Sequence, residues 1–361
     1  MKISKENLLW FGRALDYDGI RYFNYSSSGF AFVFKGKKAV AKILSDALSW
    51  TNENKAVLGV YIFEGNDLSW KSFSTEPARR IILSKPENEC VLFESETEKT
   101  VTIRVIKLSE AAFGYAGLQE LSIDGELLSS AESCSANPAA KIEFIGDSIT
   151  CGYGIEGVWS EDTHFSTQTE RADKSYAFLT AKKLNAEFQC CSWSGIGIIS
   201  NYVDPLTENL PDTKLLMPAV WPYTDKSLSI RLGLEPELWK ESRFSPDIVV
   251  IHLGTNDASW VRGMEERRLH FTACYAQLIE SVHQRSPKAK ICCCLGVMGQ
   301  DLCKSVCEAV KLFKENFPSV EIKTVIFPVQ KDEDGIAIDW HPSAKTHEKI
   351  ANQLTEELKN W

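Results

Sequence analysis

The sequence has no excess of positive charge: 40 Lys and Arg stand against 49 Asp and Glu, a net charge of −9. It also has no long run of Lys and Arg, so the electrostatic footprint that binds nucleic acid or an anionic membrane surface is missing. Uninterrupted apolar stretches are short. None approaches the roughly 18 residues of a membrane-spanning helix. Residues 1–19, MKISKENLLWFGRALDYDG, space Lys, Glu, Arg and Asp too closely for the apolar segment of a secretory signal. Histidine is scarce, six in all, and no Cys/His pair at finger spacing joins Cys303 and Cys307 to complete a zinc site. The sequence therefore implies no metal and no cofactor. The eleven cysteines are odd in number and partly adjacent, at Cys190-Cys191 and Cys292-Cys293-Cys294. Neighbours on a strand face opposite sides and do not bridge easily, so these read as small buried hydrophobes in a reducing cytoplasm.

What is present falls into two patterns. In the first part Phe30, Phe32 and Phe34 alternate with Ala31 and Val33, and residues 57–63 form an apolar run closed by Glu64-Gly65-Asn66-Asp67. Val101, Ile103 and Val105 alternate with Thr102 and Arg104, the pattern of a strand with one wet face. Turn signals recur between such runs without an amphipathic helix, which predicts an all-β sandwich or jelly roll over residues 1–130. Residues 129–140, small, polar and broken by Pro138, mark a boundary, and a second domain follows over 140–361.

That second part alternates. Strand-like runs at 141–146, 186–192, 247–253, 290–295 and 320–327 are separated by helical patterns at 175–184, 265–284 and 301–317, with a last helix over 343–358. The runs are continuously apolar, as in Ile248-Val249-Val250-Ile251, which suits strands covered on both faces. An α/β domain with a mostly parallel sheet flanked by helices follows, with its site at the carboxyl edge. The insert at 201–245, rich in Pro and Trp, reads either as a cleft wall or as a surface excursion.

Four segments at that edge carry chemistry. The stretch AKIEFIGDSITCGYG, residues 140–154, runs from a β-prone segment into Gly146-Asp147-Ser148. A strand that delivers a serine to a turn with free φ and nearby backbone N–H groups is the setting of a nucleophile, although Gly-Asp-Ser is also an ordinary turn. Ser194-Gly195-Ile196-Gly197 follows the second strand, Gly254-Thr255-Asn256-Asp257 the third, and Asp339-Trp340-His341-Pro342 precedes the last helix. Among the histidines, His252 lies inside an apolar strand and reads as a hydrogen-bonded structural residue. His270 and His283 read as surface or half-buried on a helix, and His347 as a partner of the last helix start. His341 alone combines a pre-helix loop with a nearby carboxylate and is the candidate base. Asp147 and Asp257 read as turn-fixing residues, and a turn-capping role is the plain alternative for Asn256. Trp260, Tyr202 and Trp340 lie near these loops and are candidates for stacking against a bound substrate, although most aromatics in a chain of this size are core.

In that order GDSIT, SGIG, GTND and DWHPS resemble the sequence blocks of the SGNH (GDSL-type) hydrolases, from residue 141 to the C-terminus. A β-domain of this size in front of such a hydrolase is similar to carbohydrate esterase family 2, the acetyl xylan esterases. The resemblance implies that Ser148 is the nucleophile. It also implies an oxyanion hole made of the Ser148 and Gly195 N–H groups and the Asn256 side chain, with Gly197 in the alternative alignment. The superfamily's aspartate stands three residues before its histidine, where this chain has Ile338. Asp339 lies two before His341. In an extended segment residues i and i+2 share a side, which lets the Asp339 carboxylate orient the imidazole; otherwise a backbone carbonyl does so. The implied activity is removal of O-acetyl groups from hemicellulose-derived oligosaccharides through an acetyl-enzyme. A lipase or thioesterase on another acyl substrate, and a non-catalytic carbohydrate-binding protein, are the alternatives. The β-domain then binds sugar, completes the cleft or mediates self-association, and a homo-oligomer is compatible with the last.

Overall fold

The computed structural model describes residues 1–46, 53–70, 73–74, 76–128, 138–206, 209–359 and 361. The first half is antiparallel: β1 (Lys2–Ile3), β2 (Leu9–Phe11), β3 (Ala14–Tyr17), β4 (Ile20–Phe23), β5 (Gly29–Leu44), β6 (Ala56–Glu64), β7 (Arg79–Leu83), β8 (Glu87–Lys107) and β9 (Gly117–Leu127). They join in the order β3-β4-β9-β5-β8-β6-β7, with β1 beside β9 and β2 beside β5. The alternation along β5 sorts its side chains. Phe30, Phe32 and Phe34 enter a core with Leu58, Val60, Ile103 and Val105, whereas Ala31 and Val33 point the other way, into a core shared with Phe144, Phe178 and Phe188 of the second half.

That second covered face corrects the reading of residues 100–108. Thr102 and Arg104 are buried rather than wet. The Arg104 guanidinium lies 4.3 Å from the Trp70 ring centroid and donates to the carbonyls of Leu68 and Ser69. A strand pattern reports which residues are polar, not whether another layer covers them, and here the loop carrying Trp70 does. The proposed boundary at 129–140 falls largely outside the described residues. On either side of it the two halves share apolar core and a buried ion pair between Arg13 and Glu143 at 2.8 Å.

The second half holds a parallel sheet of β10 (Lys141–Gly146), β11 (Glu187–Ser192), β12 (Ile248–His252), β13 (Lys290–Leu295) and β14 (Ile322–Ile326), ordered β11-β10-β12-β13-β14. Period-two alternation places Phe144, Cys190, Val250, Cys292 and Cys294 on the face under helices Tyr176–Leu184 and Ala344–Lys359. Ile145, Cys191, Val249, Ile251 and Cys293 lie under Glu265–Arg285 and Cys303–Asn316. The adjacent cysteines are thus buried hydrophobes of two opposite layers. Because the chain passes from β10 outward to β11 and then back to β12 on the other side, the crevice opens at the carboxyl ends of these three strands. The insert at 201–245 chiefly ties the halves together: Arg13 donates to the carbonyls of Trp221 and Tyr223, and Asn24 to Asp225 at 2.9 Å. No helix among the described residues is long and apolar enough to cross a membrane.

Candidate active site

At the end of β10 the Asp147 side chain accepts from Ile149 N at 3.0 Å and caps a one-turn helix, Ser148–Cys151. Gly146 is required there, because a Cβ would lie 2.0 Å from Thr150 Oγ1. Burial pushes the Asp147 carboxyl up to about 7. The helix start sets Ser148 at the mouth of the crevice, 6% exposed, with its Oγ 2.8 Å from His341 Nε2.

The other nitrogen of His341 faces two carbonyl oxygens, those of Ile338 and Asp339, each at 3.1 Å. Carbonyls only accept, so Nδ1 carries the proton and Nε2 keeps the lone pair that the serine hydroxyl needs. The backbone accomplishes this with two residues in the left-handed region, Asp339 (φ 51°) and Trp340 (φ 63°). Such conformations cost about 1–3 kcal/mol each and persist where surrounding contacts impose them. The same turn overturns the expected Asp339 carboxylate–imidazole contact. The i, i+2 argument requires an extended segment, and this one is not extended. The Asp339 carboxylate accepts instead from the Tyr153 hydroxyl at 2.8 Å. The Tyr153 ring packs 4.2 Å from the imidazole and stacks on Phe165 at 3.8 Å. Asp339→Asn keeps an acceptor for Tyr153 and a residue at ease in the left-handed region. It is expected to lower kcat on an aryl acetate by less than about tenfold, against roughly 10⁴ for loss of an orienting carboxylate.

Burial pushes His341 down to about 4, the two carbonyls and the Asp339 charge only partly offsetting it. A base acts when unprotonated, so activity is present above that value and lost as pH falls through it. The acid limb of kcat/KM is expected well below pH 6, where an unperturbed histidine would put it near 6.5. A measured limb at 6.5 or above contradicts this.

Of the two glycines after β11, Gly195 has φ 75° and its N–H donates to nothing among the described residues. Gly197 N–H already donates to Asn201 Oδ1 at 3.2 Å. Gly195 is therefore the one with a donor to spare. Asn256, 7% exposed, uses one Nδ2 hydrogen on the Ile196 carbonyl at 2.9 Å and keeps the second. Asp257, expected from sequence to fix its own turn, also reaches across to the loop after the second parallel strand. Its buried carboxylate accepts from the N–H groups of Ile198, Ile199 and Ser200 at 2.7–3.1 Å, pinning the neighbouring loop. Burial pushes it up to about 6 against those donors.

The remaining histidines separate by environment. His252 is buried between Tyr176 and Phe327, and neither ring nitrogen has a partner among the described residues, so it is structural but not hydrogen-bonded; burial holds it down to about 3. His347 Nδ1 accepts from Tyr176 N at 3.1 Å. His164 and His270 are exposed and His283 half-buried. Trp340 and Tyr202 are 57% and 58% exposed, as a stacking platform requires. Trp260 is not free in this way: it is half-buried against the core with the Arg267 guanidinium 4.4 Å from its ring centroid. Sequence reasoning missed Trp159, whose ring lies 5.2 Å from Trp340, and also Tyr153 and Phe165. Tyr153 had a signal in its place within the Gly152-Tyr153-Gly154 turn; Phe165 and Trp159 had none.

The chain is similar to known proteins over most of its length. Residues 144–349 match the GDSL-like Lipase/Acylhydrolase family. The chain is 37% identical over 261 residues to the cellulase/esterase CelE of Acetivibrio thermocellus, covering 70% of this chain but only 29% of that protein's length. It is 27% identical over 297 residues to an acetylxylan esterase / glucomannan deacetylase of Cellvibrio japonicus, covering 81% of this chain and 77% of the relative. A family two carbohydrate esterase from Clostridium thermocellum, solved in complex with cellohexaose, superposes with a TM-score of 0.80 at 30% identity, covering 98% of both chains. The chain is a member of the GDSL-like lipase/acylhydrolase family, of the kind classed as carbohydrate esterases of family two.

Proposed function

We propose that the protein is a serine esterase that removes O-acetyl groups from hemicellulose-derived oligosaccharides. The observation that carries this is the contact of Ser148 Oγ with His341 Nε2 at 2.8 Å, with the proton kept on the opposite ring nitrogen, which donates toward its two carbonyl acceptors. In this reading His341 takes the Ser148 proton as Oγ bonds to the acetyl carbonyl carbon. The negative charge that gathers on the carbonyl oxygen is held by the N–H groups of Ser148 and Gly195 and by the Asn256 amide. The C–O bond to the sugar then breaks, and His341 returns the proton to the leaving sugar oxygen. Water, deprotonated by His341, attacks the acetyl-enzyme; acetate leaves and Ser148 regains its proton. Asp339 contributes its backbone carbonyl rather than its carboxylate.

The relatives named as acetylxylan esterase / glucomannan deacetylase support an acetylated sugar as substrate. So do Trp340 and Tyr202, exposed rings beside the site that can cover the C–H face of a pyranose. Residues 140–361 carry the chemistry, and residues 1–130 form the unit that buttresses it. A reducing cytoplasm suits the free thiols, most of them buried. The deciding measurement is acetate release from defined acetylated xylo-, manno- and cello-oligosaccharides, with products located by NMR. Acetate is expected from at least one series, and Trp340→Ala should raise KM on oligosaccharide by roughly tenfold while sparing p-nitrophenyl acetate. No release from any series, together with faster turnover of long-chain acyl esters, would sink the reading.

A further inference from the structure

Glu110 belongs to the antiparallel half, in the connection between β8 and β9, yet its side chain reaches the carboxyl edge of the parallel sheet and is completely buried. Its Oε2 accepts from Ser194 N at 2.6 Å and has the Cys151 thiol at 3.9 Å. Oε1 has no partner among the described residues. The Glu110 backbone is held as firmly: its N–H donates to Glu170 Oε2 at 3.0 Å, and its carbonyl accepts from Lys107 Nζ at 2.8 Å. Burial pushes both carboxyl groups up, Glu170 further by the charge of Glu110. An apolar residue would hold two halves of a protein together without the desolvation that a buried carboxyl suffers. A carboxyl retained at such a place, one residue from a candidate oxyanion donor, calls for a specific use.

The use is legible in the backbone. The peptide that carries the Gly195 N–H is flanked on one side by Ser194 N, tied to Glu110, and on the other by the Gly195 carbonyl, which accepts from Tyr202 N at 2.8 Å. The turn is also closed by Ile196 N on the Trp193 carbonyl at 3.4 Å and tied by Asn256 on the Ile196 carbonyl, but packing does not brace the glycine itself: a Cβ on Gly195 would meet no atom within 4 Å, and glycine at φ 75° turns freely. We propose that Glu110 is a positioning residue that aims the Gly195 N–H at the oxyanion, so that the antiparallel half supplies a working part of the esterase site. This rests on the reading of Gly195 as an oxyanion donor. The carboxylate touches neither substrate nor reacting atoms; it acts through the loop.

The test compares Glu110→Ala, Glu110→Asp and Glu110→Gln with wild type on p-nitrophenyl acetate, with folding followed by circular dichroism and Ser148→Ala run alongside. Alanine removes the acceptor and aspartate withdraws it by one methylene, so both should lower kcat by roughly 10²-fold with KM changed less than about threefold. Glutamine keeps an acceptor oxygen and should recover most of that loss. Phenylboronic acid, which forms a tetrahedral adduct on the serine, should bind Glu110→Ala at least about tenfold more weakly. A merely structural glutamate would lower the melting temperature and leave kcat of the folded protein intact. Wild-type kcat in folded Glu110→Ala or, where alanine does not fold, in Glu110→Asp overturns the inference. So does an equal loss in the Gln and Asp variants. If Ser148→Ala stays active, the esterase reading itself has failed; if it is dead while the Glu110 variants keep full kcat, only this inference has.

Discussion

His341→Ala is expected to lower kcat on p-nitrophenyl acetate by on the order of 10⁴-fold or more, to the same floor as Ser148→Ala and as the double variant. The reason is that the two side chains act as one unit. With the imidazole gone, Ser148 Oγ has no base within reach, since among the described residues its only side-chain hydrogen-bond partner is His341 Nε2. No other histidine replaces it. His347 Nδ1 is occupied by Tyr176 N, and His252 is sealed among aromatic rings. The residual rate should come from oxyanion donors and binding alone. Additive losses in the double variant would show that serine and histidine serve separate steps, and the mechanism would have to be abandoned.

Asn256→Ala should cost roughly 10²–10³ in kcat, about 2.7–4 kcal/mol of transition-state stabilisation, with KM little changed. The amide has one hydrogen engaged by the Ile196 carbonyl at 2.9 Å and one free, so it both ties the loop of Gly195 and offers a donor. The loop tie alone is a single buried hydrogen bond, worth about 1 kcal/mol of stability. A hundredfold fall in kcat with a small change in melting temperature therefore separates the two roles. Asn256→Asp should be at least as poor, because a carboxylate would face the developing negative charge. Full activity in folded Asn256→Ala removes this side chain from the oxyanion hole.

Much of the second half was readable in the residues. β10 and β13 coincide with the apolar runs at 141–146 and 290–295, and the four long helices depart from their periodic patterns by no more than two residues at either end. Strands buried on both faces and helices buried on one leave strong local periods. The antiparallel half was readable as strands, but not as a layer covered on its second face: whether Thr102 and Arg104 meet water depends on the loop around Trp70 and on the other half of the chain. The site divides the same way. Ser148, Asn256 and His341 stand in short segments of recognisable composition, whereas Tyr153, Phe165 and Glu110 enter through contacts across long sequence separations.

By itself the sequence determined the alternation of strands and helices, the edge at which the reactive residues gather, and the serine, histidine and asparagine that stand there, because periodicity and turn chemistry are local properties of a chain. Only the tertiary structure decided what turns the imidazole. A left-handed backbone at Asp339 and Trp340 sends the carboxylate to Tyr153 and leaves two carbonyls at His341 Nδ1. It also decided which glycine keeps a free N–H, since the claim of Asn201 on Gly197 and of Glu110 on Ser194 arises only once the loops are packed. Hydrogen-bond partners chosen among several nearby acceptors depend on directions in space, and a linear order of residues does not contain them.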